Sequence, residues 1–103
     1  MAKKPSKEMQ EHYARLKQLG CIVCRKIGDG YSEPTIHHLT GAGMGLRNKE
    51  CIPLCPKHHQ HGGYGVAIHA GKKAFEDNFG TQQELLEYTD ELLDYFSRVG
   101  YIA

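Results

Sequence analysis

Apolar residues set the two ends of this chain into helical register. Met9, Tyr13, Leu16 and Leu19 recur at three- and four-residue steps and predict one buried stripe over Lys7 to Leu19. Ser6 stands where an N-cap belongs, and Gly20 stands where such a helix stops. Lys7, Arg15 and Lys17 fall off the stripe and are expected on a solvated face. Near the other end, Leu85, Leu86, Leu92, Leu93, Phe96 and Val99 make a second stripe, with acidic residues filling the opposite face. Thr81-Gln82-Gln83-Glu84 is a capping box, so this helix should span about 81–99. It is expected to be structural, with no chemistry of its own. A shorter helix is predicted over 71–79, buried through Ala74, Phe75 and Phe79 and stopped by Gly80.

The middle of the chain loses the helical period. Thr35 to Leu39 is short, partly β-branched and bounded by Pro34 and Gly41, which predicts a strand. Its His37 and His38 should then point to opposite sides. The stretch from Gly41 to Asn48 holds three glycines and is expected to be a loop. Lys49 to Leu54 predicts a second strand. Cys55-Pro56 then opens a helix that Gly62, Gly63 and Gly65 break soon after. No internal repeat or linker is visible. The expected fold is therefore a single small α+β domain over 1–103, with residues 1–5 as a frayed, disordered basic end.

Composition narrows the class. A chain of 103 residues with six Tyr, three Phe and no Trp has a modest core and is a candidate for a covalent or metal staple. No run approaches membrane-spanning length. The opening Met1-Ala2-Lys3-Lys4-Pro5 has no apolar stretch behind it, so the expected setting is the reducing cytoplasm rather than a secreted, disulfide-bonded one. The net charge of +1 conceals an asymmetry. Residues 1–75 carry twelve Lys/Arg against five Asp/Glu, whereas residues 76–103 carry one against seven. The basic part suits phosphates, and the acidic end should face away from them.

Cysteine and histidine spacing supplies the chemistry. Cys21 and Cys24 form a Cys-x-x-Cys knuckle, and Cys55 and His58 form a Cys-x-x-His pair at a helix start. Together they predict a closed tetrahedral Cys3His site for a structural Zn²⁺. Thiolates argue against Mg²⁺ or Ca²⁺ there. Cys51 lies four residues before Cys55 and should point elsewhere, as a small buried apolar residue. A redox role for the Cys-x-x-Cys would go with a βαβ pattern, which is missing.

Six of the seven histidines lie within 37–69. With His58 given to zinc, His37, His38, His59, His61 and His69 remain. A strand doublet facing a helix histidine can bind one metal ion and leave one imidazole free. A free, neutral imidazole can take a proton from water, while the metal polarises a phosphate. That arrangement suits phosphodiester hydrolysis. Arg47, Lys49, Lys57, Lys72 and Lys73 are the candidate DNA-phosphate contacts, each weighed against plain solvated charge.

Cys21-x-x-Cys24, His37-His38 and Leu54-Cys55-x-x-His58-His59 resemble the ββα-metal, or HNH, nuclease motif with its zinc knuckles. Ile68-His69-x-Gly71-Lys72-Lys73-Ala74-Phe75 and Phe79-Gly80-Thr81-Gln82-Gln83-Glu84-Leu85-Leu86 extend the likeness. In this finer pattern the chain resembles the recombination enhancement function (Ref) family, phage-encoded HNH nucleases that act on DNA with RecA filaments. The resemblance covers about residues 12–90. It implies a ββα-metal core at 37–69, stapled by zinc and flanked by helices. It implies a DNA endonuclease of phage or prophage recombination, working in the bacterial cytoplasm. His38 would be the general base. His37 and His59 would hold the catalytic divalent metal, Mg²⁺, Mn²⁺ or Zn²⁺. The family's further helix contact falls on Gly63 here, so His69 is the candidate replacement and His61 the reserve. The family's middle Asn falls on Glu50, with Asn48 two residues earlier. Those departures keep an alternative open: a non-catalytic zinc module that binds nucleic acid or a protein partner.

Overall fold

The computed structural model describes residues 6–39 and 50–102. Helix α1 is Lys7–Leu19, α2 Ile22–Lys26, α3 Lys72–Phe79 and α4 Gln82–Arg98. Strand β1 is Thr35–His38 and β2 is Cys51–Leu54. A π-helical turn, Lys57–His61, follows β2, and a 3-10 turn, Ile68–Ala70, precedes α3. No described helix is long and apolar enough to cross a membrane.

Helix α1 forms as its pattern predicts. The Ser6 hydroxyl accepts the Met9 N–H at 3.2 Å, which satisfies one donor of the first turn. The chain leaves the helix at Gly20, where φ is +84° and a Cβ would meet the Tyr31 ring and the Ser32 carbonyl oxygen. Met9, Leu16 and Leu19 are buried. Arg15 departs from the sequence expectation. Its guanidinium donates to the Leu93 carbonyl and the Ser97 hydroxyl of α4, so it ties two helices together.

Helix α2 was not visible in the sequence, because its five residues fall inside the cysteine knuckle. Cys21 caps it, accepting the Cys24 N–H at its sulfur. Arg25 then lays its guanidinium over Phe96, Tyr101 and Tyr31, at 5.3, 5.8 and 6.0 Å from the ring centroids.

The strands pair antiparallel, with Thr35 opposite Leu54 and His38 opposite Cys51. Every residue of β2 is buried, because α4 and α1 pack on it. Leu16, Leu19, Ile22, Val23, Leu39, Ile52, Leu54, Phe75 and Leu85 fill the core. The capping box is present at the start of α4, with Thr81 and Glu84 bonding reciprocally. Its apolar stripe ends earlier than predicted, since Val99 is 58% exposed. The stripe also includes two polar residues that hydrophobic patterning overlooks. Gln82 and Thr89 are buried, and the Thr89 hydroxyl donates to the Leu85 carbonyl.

The helix predicted after Cys55 is a single wide turn. The His58 and His59 N–H groups share the Cys55 carbonyl, at 3.0 and 2.9 Å. Gly62 ends it, where any Cβ would sit on the Lys57 carbonyl oxygen. The order strand, strand, helical turn therefore holds, with a shorter last element than the sequence suggests.

Candidate metal centres

Cys21, Cys24, Cys55 and His58 come together inside the core, from the start of α2 and from the residues around the π-helical turn. All four are buried. His58 Nδ1 lies 3.2 Å from Cys55 Sγ and 3.6 Å from Cys21 and Cys24 Sγ, and Cys24 and Cys55 Sγ are 3.8 Å apart. Four ligands placed tetrahedrally on Zn²⁺ should show S···S near ~3.8 Å and S···N near ~3.6 Å, from bond lengths of about 2.3 and 2.0–2.1 Å. The donor set and its spacing fit zinc. Burial pushes the Cys21 thiol up to about 12. An isolated thiolate is therefore unfavourable there, and a cation is what would stabilise it. Burial, and then Lys57, lowers the His58 imidazole, which keeps it neutral as a ligand must be. Its ring meets Phe79 edge-on, with centroids 5.2 Å apart. Cys51 is also fully buried but is not part of this group. Burial, with Asp90 nearby, raises its thiol to about 11.

A second cluster lies on the opposite side of the doublet from His38. His37, His59 and His69 each offer a ring nitrogen, all within 4.8 Å of one another. His37 comes from β1, His59 from the π-helical turn and His69 from the 3-10 turn before α3. The π-helical turn separates His58 from His59, so one serves the buried set and the other reaches this one. His59 Nε2 and His69 Nε2 are 3.1 Å apart. For metal–nitrogen bonds of about 2.0–2.1 Å, neighbouring ligand atoms should sit roughly 3.0–3.4 Å apart. Burial, reinforced by His37, His69 and His61, pulls His59 down to about 4. Burial lowers His37 too, against an opposing hydrogen bond from Gln82. Neutral rings carry the lone pairs that a cation needs.

Two contacts hold this cluster from outside. His37 Nε2 is 2.8 Å from Gln82 Oε1, and His59 Nδ1 is 2.7 Å from Thr35 Oγ1. Thr35 and His37 share a face of β1 because side chains alternate along a strand. Gln82 begins α4 and its N–H donates to Glu76 Oε2 at 2.8 Å. Helix α4, expected from its sequence to be structural only, thus touches the cluster through Gln82. Burial of a polar side chain cannot be read from a hydrophobic stripe, so no sequence signal marked it.

The remaining site candidates are dispersed. His38 is exposed and its Nε2 lies 3.4 Å from the Tyr13 hydroxyl, which the sequence reading had placed in the core stripe only. His61 is exposed and outside the cluster, whereas His69 is inside it. Lys57, Lys72 and Lys73 are exposed, and Lys73 pairs with Asp77 at 3.3 Å. Arg47, Asn48 and Lys49, with the glycine loop, lie outside the described residues. Glu50 is half-buried, and its carbonyl accepts the Leu39 N–H at 3.0 Å.

A strand pair and helical turns that gather a buried Cys3His set, consistent with a zinc site, and a separate three-histidine set define a small α+β protein. The chain belongs to the recombination enhancement, RecA-dependent nuclease family, whose model matches residues 5–94. It is also 36% identical over 84 residues to the uncharacterized protein YdfU of Escherichia coli (strain K12). The match takes in 76% of this chain and 21% of YdfU, so the chain spans about a fifth of that relative's length.

Proposed function

We propose that this chain is a metal-dependent DNA endonuclease of the HNH, or ββα-metal, type that works with RecA filaments in recombination. The observation that carries the reading is the His37–His59–His69 cluster, set on a strand and two helical turns with His38 on the reverse of the same strand. Family membership supports DNA as the substrate and RecA as the partner.

The residues divide the work as follows. Cys21, Cys24, Cys55 and His58 hold the structural zinc and fix the π-helical turn against the start of α2. His37, His59 and His69 hold the divalent ion. That ion, when bound, neutralises charge on the scissile phosphate and on the departing oxygen. His38 takes the proton of the attacking water, for which its exposure and freedom from the cluster suit it. The Tyr13 hydroxyl steadies its ring. Burial keeps that phenol protonated by raising it further. Lys57 and Lys72 are exposed and available to phosphate, and Arg47 and Lys49 remain candidates for the same role. Lys73 contributes less, since Asp77 already engages it.

His59→Ala separates this reading from a zinc module that only binds. The variant should retain one zinc per chain and lose divalent-ion-dependent cleavage by at least ~100-fold, a loss typical when preorganised charge stabilisation is removed. Metal analysis and plasmid nicking would measure both. DNA binding with no cleavage by wild type, under any divalent metal with RecA and ATP, would establish the module instead.

A further inference from the structure

The histidine cluster is held by two residues that would not themselves touch a bound ion. Thr35 has one O–H, and it donates to the Leu54 carbonyl at 2.8 Å. The same oxygen lies 2.7 Å from His59 Nδ1, so there it must accept. His59 therefore carries its proton on Nδ1 and presents a lone pair at Nε2, the atom that faces His69. Gln82 Oε1 can only accept, so His37 carries its proton on Nε2 and presents a lone pair at Nδ1.

We propose that Gln82 and Thr35 are positioning residues for the divalent-ion site, committing His37 to bind through Nδ1 and His59 through Nε2. This rests on the reading that the cluster binds a cation, and it is independent of whether the chain cuts DNA. Outer hydrogen-bond partners of this kind fix the tautomer and ring angle of ligating histidines and raise their basicity. Gln82 is well placed for the task. It is 4% exposed, and the Thr81–Glu84 capping box and the Glu76 carboxylate fix its backbone. Through it, the start of α4 and the end of α3 act on the metal site. Thr35 acts from the other side through the strand pair, because its own proton is held by β2.

The test is Mn²⁺ titration by calorimetry of the full, zinc-loaded chain, comparing wild type with Gln82→Met and Gln82→Glu. Methionine matches the length and loses the acceptor. Glutamate keeps an acceptor but places a charge in a buried position. Positioning predicts that Gln82→Met weakens Mn²⁺ binding ~10–100-fold, while Gln82→Glu binds at least as tightly as wild type. A merely structural role predicts the reverse order, with Gln82→Glu the worse, and that result would overturn the proposal. So would wild-type affinity in Gln82→Met. Thr35 is exposed and offers a second pair that folding defects should not obscure. Thr35→Val should weaken Mn²⁺ binding about tenfold, and Thr35→Ser should restore it. Wild-type affinity in Thr35→Val would overturn the Thr35 assignment. If wild type and His59→Ala bind Mn²⁺ equally, the cation site itself fails, and this proposal with it.

Discussion

Cys24→Ser should lose its zinc and unfold. Four ligands drawn from two separate stretches meet inside the core, and none is exposed to water. Without a cation the site is three buried thiols and an imidazole, with Cys21 resisting ionisation until about 12. With zinc, the same atoms cross-link the start of α2 to the π-helical turn. Structural zinc binding is worth on the order of 10–16 kcal/mol in small zinc domains. The whole stability of a domain this size is about 5–15 kcal/mol. Losing one ligand should therefore remove most of the margin. The measurements are zinc content and a thermal unfolding curve by circular dichroism. Cys51→Ala is the control: it sits outside the set and should keep its zinc with only a modest loss of stability. A folded, zinc-free Cys24→Ser protein would show that the staple is dispensable.

His38→Ala should abolish cleavage and leave the protein folded. His38 is exposed, so truncation opens no cavity in the core. It is not among the three clustered histidines, so Mn²⁺ affinity should not change. What disappears is the group that takes the proton from water. General-base catalysis contributes roughly 10²–10⁴-fold, and a loss in that range is expected in nicking assays at saturating metal. Cleavage at the wild-type rate would remove His38 from the mechanism and turn attention to His61.

Much of this was legible in the residues. The α1 and α4 boundaries follow from caps and periodicity, because Ser6, Gly20 and Thr81 each satisfy or release backbone groups locally. The zinc set followed from spacing, since a knuckle brings its two ligands together whatever surrounds it. Other features depend on tertiary placement. Helix α2 is too short to show a period. The helix after Cys55 was legible with its glycine stop at Gly62, but its reduction to one π-helical turn has no sequence signature. Arg15 looked like solvated charge, and only the approach of α4 gives it partners. Gln82 looked like one more polar residue in a capping box, until burial brought it to His37. His69 was the candidate third ligand and His61 the reserve. Both are exposed, but the 3-10 turn before α3 carries His69 into the cluster, while His61 lies outside it.

Hydrolysis of DNA at the histidine site is the central claim. The most direct measurement is nicking of plasmid and single-stranded DNA by the zinc-loaded chain, with Mg²⁺ or Mn²⁺, in the presence and absence of RecA and ATP. Cleavage that needs the divalent metal and rises when RecA filaments are present is the predicted result. Intact DNA in every condition, from a folded chain with zinc in place, would contradict it.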